Sequence, residues 1–228
     1  MRIDLPATSA ARNVSRAAAV VDSLRLAVLI AYLQSELYTR ALAVVGMVPT
    51  ADVIVIGTMN TQEGVHLTRL TSLLTARGST APPKPTIDFT AKGALPAFAF
   101  VASQYETFRM LAQAFEDLSV RTYKGQIQAL VADKLALNEA LAIHAVEARH
   151  AAEIRRIRGK KGWITGSSRD DLPAFLQPIY AGEELTTQSG VDVSAALASF
   201  GGAEAASQAF DEPLTTAQVT AIITPFIA

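Results

Sequence analysis

Residues 140–157 read ALAIHAVEARHAAEIRRI, and this stretch is the most informative about the fold. Its apolar side chains recur every three or four residues, which is the spacing of one face of an α-helix. Glu147 and His150 fall on the same face one turn apart, because an i, i+3 spacing turns about 300° around a helix. The stretch therefore predicts a long helix with a carboxylate and an imidazole on its apolar side. The stripe comprises Ala140, Ile143, Glu147, His150, Ile154 and Ile157.

A second helical pattern repeats this arrangement earlier in the chain. In QEGVHLTRL, residues 62–70, Glu63 and His66 have the same spacing as Glu147 and His150. One E-x-x-H pair is common by chance in a chain of this size, whereas two pairs on apolar seams indicate a shared site. The second seam comprises Ile56, Met59, Glu63, His66, Leu70 and Leu73.

Gly and Pro clusters divide the chain before residue 159 into four helical segments. Gly46 and Gly125 are predicted to end the first and third helices. Residues 77–96 are rich in Pro and Gly and long enough to run the length of a helix bundle, so helices two and three can lie parallel. The sequence thus predicts an all-α four-helix bundle with a long crossover between helices 2 and 3. The predicted helices cover residues 18–45, 50–76, 97–123 and 127–158.

Three regions follow from these patterns. Residues 1–17 are predicted as an N-terminal arm, residues 18–158 as the bundle, and residues 159–228 as a C-terminal extension packed on the bundle. The extension has no sustained period, so we expect it to be mostly irregular with short helices. One of these is expected to begin after Thr215, which is a good N-cap residue.

Composition excludes several classes of protein. The 228 residues carry a net charge of -1, which argues against a nucleic-acid partner. No cysteine is present, so disulfides, iron–sulfur clusters and thiol nucleophiles are excluded. The apolar stretch 24–33 is interrupted by Arg25 and is too short to span a membrane. We expect a monomer or homodimer in the cytoplasm, with a periplasmic or secreted location as the alternative if a leader was removed.

The paired motifs predict a metal site. Carboxylates are hard, anionic ligands that suit iron and manganese, and an imidazole adds a firm terminal ligand. Glu116 on helix three is the candidate for a further carboxylate. In one allocation Glu63 and His66 hold one ion, and Glu147 and His150 hold the other. The alternative is an ordinary bundle whose Glu and His side chains face a solvated groove.

The four helices also resemble a known family. The segments YLQSELYTRAL, QEGVHLTRL, FEDLSVRTYKG and AIHAVEARHAAEIR are similar to the helices of bacterial ferritin-like domain proteins, a group that includes the desiccation-related proteins. The resemblance covers about residues 18–160 and implies a ferritin-like four-helix bundle. It also places five residues on metal-ligand positions. These are Glu63, His66, Glu116, Glu147 and His150.

Helix one departs from the pattern of that family. The family usually has a Glu seven residues before the tyrosine that ends the motif, and counting back from Tyr38 gives Ala31. Gln34 lies one turn further, so its amide oxygen is a weak candidate ligand. Glu36 is expected to point to another face, and His144 is a weak candidate as an outer partner or substitute ligand.

Two functions follow from these observations. The first is a metal-binding protein that holds one or two ions of iron or manganese, with Fe(II) oxidation or protection against oxidative or desiccation stress as its role; the missing carboxylate at Ala31 weakens one of the two metal positions. The second is a metal-free or vestigial bundle that acts as a structural or stress-associated interaction protein. In both, Glu106, Asp117 and Glu139 are predicted to be surface charges.

Overall fold

Four long helices form the body of the protein. The computed structural model describes residues 9–228, and side chains from residue 13 onward. Helix α1 spans Ser9–Ala43 and α2 spans Thr50–Thr75. A connection that contains the 3₁₀ turn Ala102–Gln104 leads to α3, Tyr105–Leu130, and α4 spans Lys134–Ile157. The predicted all-α class and four-helix bundle are confirmed.

The long connection between α2 and α3 makes these two helices parallel. At one end of the bundle, the Tyr105 hydroxyl at the start of α3 donates to Asp52 at the start of α2, over 2.7 Å. At the other end, Arg77 after α2 pairs with Asp133 before α4 at 2.6 Å. Helix α1 packs extensively on α2 and α3, and α3 packs on α4, whereas α2 and α4 make few contacts. A shallow groove therefore remains between α2 and α4.

Four helix boundaries differ from the prediction by seven residues or more. Helix α3 begins at Tyr105 rather than at residue 97, and α4 begins at Lys134 rather than at residue 127. Helix α1 begins at Ser9 rather than at residue 18, so part of the predicted arm is helical, while residues 1–8 lie outside the described residues. Helix α3 continues through Gly125 to Leu130, although Gly125 was expected to end it. The division of the chain into arm, bundle and extension stays a prediction.

The C-terminal extension explains why α3 continues through a glycine. A Cβ on residue 125 would lie 1.9 Å from the backbone oxygen of Leu214. The Leu214 N–H also donates to the Arg121 carbonyl of α3 at 3.1 Å. Gly125 therefore lets the backbone of Leu214 approach the backbone of α3. A glycine inside a helix costs about 1 kcal/mol relative to alanine, and α3 tolerates this cost.

The extension contains short, well-separated elements. Helix α5 is Ala203–Ala209, and α6 is Thr216–Ile223. The predicted N-cap at Thr215 is confirmed, because its side chain accepts from the Gln218 N–H in a capping box. Strands β1, Thr187–Gln188, and β2, Val191–Asp192, pair antiparallel. Three further 3₁₀ turns are Ala174–Ile179, Ala198–Phe200 and Thr224–Phe226.

Buried ion pairs hold the extension and the bundle together. Arg155 of α4 binds Asp117 of α3 through two nitrogens, at 2.6 and 3.1 Å. The Tyr180 hydroxyl of the extension donates to the same carboxylate at 2.7 Å. Arg121 of α3 pairs with Glu183 of the extension at 2.7 Å. All five side chains are buried, so the extension is part of the folded core.

Helix α1 contains a long apolar stretch. By length and composition alone, Asn13–Ala43 could cross a membrane. However, 56% of its most apolar 18-residue window is buried within the protein. A helix in the core of a bundle passes the same test, so α1 gives no clear sign of a membrane span.

Candidate metal centre

The five predicted ligand residues meet inside the bundle. Helix α2 supplies Glu63 and His66, α3 supplies Glu116, and α4 supplies Glu147 and His150. All five are buried, the carboxylates almost completely. Their helical spacing keeps each side chain on the inner face of its own helix, so the packing of three helices brings them together.

The closest contacts cross between the two E-x-x-H pairs. His66 Nδ1 lies 2.8 Å from an oxygen of Glu147 and 3.5 Å from the Oε2 of Glu63. His150 Nδ1 lies 3.2 Å from the Oε1 of Glu63 and 3.6 Å from Glu116. Glu63 therefore presents one oxygen to each imidazole. The predicted allocation was different, because it paired each imidazole with the carboxylate of its own helix on one ion.

Four of the five residues converge more tightly than the fifth. Glu63, Glu116, Glu147 and His150 each offer one ligand atom, and these atoms lie within 4.8 Å of one another. We call these four residues the ligand tetrad. His66 lies beside the tetrad, and its ring centroid is 6.2 Å from that of His150. A buried Glu/His cluster that could bind a metal ion is thus present.

The donor atoms of this cluster fit a cation. Among the described residues, both carboxylate oxygens of Glu63 are buried without a hydrogen-bond partner, as is Nδ1 of His66 and of His150. The ring nitrogens are near carboxylate oxygens, but these contacts lack hydrogen-bond geometry. A buried carboxylate without a partner is costly, and a cation shared by the converging lone pairs would remove that cost.

Neighbouring side chains hold the cluster from outside. The Tyr38 hydroxyl of α1 donates to Glu116. His150 Nε2 is 2.6 Å from the side-chain oxygen of Gln62, a contact that places the ring proton on Nε2. Nδ1 of His150 then faces the carboxylates. Tyr123, the other buried tyrosine of α1 to α4, packs in an apolar cluster with Leu130.

The ionisation of the cluster reflects its crowded charges. Burial would lower the pKa of both imidazoles, but Glu147 and Glu63 raise the pKa of His66 to about 9. Glu116 and Glu63 raise the pKa of His150 to about 10. Burial raises the pKa of Glu116 to about 8, whereas His66 outweighs burial and lowers the pKa of Glu147. Without a metal ion, protons supply the positive charge that the carboxylates require.

Only one of the three weak candidates reaches the cluster. Gln34 does so through its amide nitrogen, which donates to Glu116 at 2.9 Å and to Glu147 at 2.7 Å. Its oxygen, the predicted weak ligand atom, does not make these contacts and has no hydrogen-bond partner in the described chain. Glu36 pairs with Arg40 at 3.0 Å on the outside of α1.

His144 is the third weak candidate, and it lies outside the ligand tetrad. Its side chain is half-buried on α4. Burial lowers the pKa of His144, and the charges of Asp211 and Lys124 act on it in opposite directions. His144 therefore faces the junction of α3 with the extension.

The groove between α2 and α4 leads toward the cluster. It has a volume of about 260 Å³, and His66 is the cluster residue that lines it. Arg69 of α2 and Glu139 of α4 pair across it at 2.6 Å. The other lining residues are Gln62, Val65, Ala142, Ile143 and Val146.

Asp117 is the important residue that the sequence reasoning missed. It was predicted to be a surface charge. The extension covers that side of α3, so Asp117 is buried against Arg155 and Tyr180. The available signal was the i, i+4 spacing of Asp117 and Arg121 in FEDLSVRTYKG, which places two charged side chains on one side of α3. Both bind partners in the extension.

The comparisons with known proteins agree with this architecture. The family model described as "Ferritin-like domain" matches residues 19–160, which contain the four long helices from residue 19 of α1 to the end of α4. No curated protein matches the chain.

Proposed function

The chain belongs to the family of ferritin-like domains, and from this premise we propose that it binds an iron or manganese ion through its ligand tetrad. Glu63, Glu116 and Glu147 would supply oxygen ligands, and His150 would supply Nδ1. The proposal depends mainly on one observation, which is that Glu63 is fully buried with neither oxygen hydrogen-bonded in the described chain.

The donor set favours iron or manganese over other common metals. Three carboxylates and one imidazole form a hard, mostly oxygen-based set, which suits these ions. Cysteine is absent, so the thiolate ligands of structural zinc sites and of many copper(I) sites are missing. Carboxylates that converge within 4.8 Å also repel one another unless a cation neutralises them.

The surrounding residues orient the ligands and leave access to the site. A bound iron ion would supply one-electron chemistry, such as oxidation of Fe(II) by oxygen or peroxide. Tyr38 orients Glu116 through its hydroxyl, and Gln62 fixes the ring of His150 so that Nδ1 faces inward. The groove beside His66 gives small ions and oxidants a route from solvent.

The second candidate is a metal-free bundle that acts as a structural or stress-associated interaction protein. The raised pKa values of His66 and His150 favour it, because imidazolium ions can neutralise the carboxylates without a metal. Ala31 favours it too, since helix α1 contributes no carboxylate to the cluster. The two candidates differ in whether the purified protein retains a metal ion.

Elemental analysis and thermal unfolding distinguish them. The protein is purified without a His tag, and its iron and manganese content is measured. We expect Mn²⁺ at a hundredfold excess over Kd to add about 2.7 kcal/mol to the free energy of unfolding. For a chain of this size that corresponds to a Tm rise of roughly 5–10 °C.

Two variants complete the test. Glu63→Gln keeps the shape of the side chain but removes its charge, so it should lose both the bound metal and the Tm rise. Glu36→Gln is the matched control, because Glu36 pairs with Arg40 and Lys84 at the protein surface, away from the cluster. If the parent protein holds no metal and Mn²⁺ leaves its Tm unchanged, the metal-free candidate is correct.

A further inference from the structure

Helix α1 reaches the metal centre with an amide instead of a carboxylate. Ala31 is buried and presents only a methyl group. One turn further, Gln34 is also buried, and its side-chain NH₂ donates to Oε2 of Glu116 at 2.9 Å and to Oε2 of Glu147 at 2.7 Å. A neutral group therefore joins two carboxylates from different helices.

Resting on the metal binding proposed above, we propose that Gln34 limits the centre to one metal ion. Its NH₂ group holds Glu116 and Glu147 together, as a second cation would otherwise do. Gln34 is thus a positioning residue that determines how many ions the centre accepts.

The ligands available to a second ion support this assignment. Among the described residues, the carboxylate oxygens that contact Nδ1 of His66 belong to Glu147, at 2.8 Å, and to Glu63, at 3.5 Å. Both carboxylates already belong to the tetrad. A second ion next to His66 would therefore share all its charged ligands with the first.

The balance of buried charge leads to the same result. The cluster contains three carboxylates, so two divalent ions would leave a net positive charge among buried side chains. One divalent ion leaves a single negative charge, which the NH₂ dipole of Gln34 and the nearby His66 partly offset. Uncompensated buried charge is costly, so the one-ion state is favoured.

The orientation of the Gln34 amide matters to this argument. Its carbonyl oxygen has no hydrogen-bond partner in the described chain. The reversed orientation would point that oxygen at two carboxylates and replace two favourable contacts with repulsion. Gln34 therefore acts as a donor to the carboxylates and does not act as a metal ligand.

Two isosteric variants of Gln34 test the proposal. Gln34→Glu adds a fourth carboxylate and removes both donated hydrogen bonds, so its charge matches two divalent ions. Gln34→Met removes the donors without adding charge. The probe is Mn²⁺, measured by elemental analysis after gel filtration and by electron paramagnetic resonance, which separates isolated from magnetically coupled ions.

We expect one isolated Mn²⁺ per chain in the parent protein and two coupled ions in Gln34→Glu. Gln34→Met should still bind one ion, with an affinity about 10–100-fold lower, because the carboxylates lose the partner that positions them. Two coupled ions in the parent protein, or a single ion in Gln34→Glu, would overturn the proposal while leaving metal binding intact.

Failure of the proposed function gives a different result, which is that the parent protein binds no Mn²⁺ at all. Gln34→Glu is expressed and purified with Mn²⁺ present, since four buried carboxylates destabilise the metal-free form. If it still does not fold, Gln34→Met decides: a tenfold or greater loss of affinity supports the proposal, and an unchanged affinity refutes it.

Discussion

Gly125→Ala tests whether the C-terminal extension is docked on α3 as the structure describes. An added Cβ would lie 1.9 Å from the Leu214 oxygen and 2.9 Å from its carbonyl carbon. Both atoms belong to the backbone, so the methyl group cannot be accommodated by rotation of a side chain. The segment around Leu214 must move away from α3.

The expected cost follows from what that movement breaks. Leu214 loses the hydrogen bond from its N–H to the Arg121 carbonyl, worth about 1 kcal/mol. Its buried side chain becomes exposed, at a cost of about 2 kcal/mol. The replacement of Gly by Ala inside a helix stabilises the protein by about 1 kcal/mol. The variant should therefore be about 2 kcal/mol less stable, with Tm lower by roughly 4–8 °C.

Gly57→Ala is the matched control. Gly57 also lies inside a long helix, and a Cβ there meets no atom within 4 Å. Only the propensity gain applies, so this variant should be up to about 1 kcal/mol more stable. Urea unfolding followed by circular dichroism measures both. The reasoning is refuted if Gly125→Ala is stabilised as much as Gly57→Ala.

The remaining predictions concern the buried charges beneath the extension. Arg155→Met leaves Asp117 buried without its cation and should lower the free energy of unfolding by about 3–5 kcal/mol. Arg156→Met removes an exposed ion pair and should change it by less than about 1 kcal/mol in the same urea titration. Burial raises the pKa of Glu183 from 4.5 to about 7, against the lowering effect of Arg121. A raised pKa means that the folded state holds the proton more tightly, so this stabilisation is present below pH 4.5 and is lost as the pH rises through 7. The free energy of unfolding should therefore fall by up to about 3 kcal/mol over this pH range, and Glu183→Gln should remove that fall. An unchanged pH profile in the variant would show that Glu183 is not its source.

The paired motifs were predictable from the sequence because they follow the helical period. Glu63 and Glu147 each lie on an apolar seam of several turns, and such a seam faces the core wherever the helix packs. Their convergence therefore required only the bundle fold. That Glu36 would point to another face was also readable, since it lies off the buried side of α1.

Other features depended on tertiary contacts that no local pattern encodes. Glycine often ends a helix, so the local sequence around Gly125 predicted a helix end. Only the approach of Leu214 explains why Gly125 lies inside α3. Asp117 looked like a surface charge until the extension covered that side of α3. The role of Gln34 depends on how α1 packs against α3 and α4, because this packing brings its side chain to two carboxylates, which accept hydrogen bonds from its NH₂ group.

The extension and the metal centre are linked through α3. Glu116 belongs to the ligand tetrad, and the next residue, Asp117, is held by Arg155 and Tyr180. Because adjacent residues of a helix share one rigid backbone, the Tyr180 hydrogen bond that docks the extension on Asp117 also helps to fix the rotation of α3 that turns Glu116 inward. The extension thus stabilises the geometry of the centre without supplying a ligand, since every member of the tetrad lies on α2, α3 or α4.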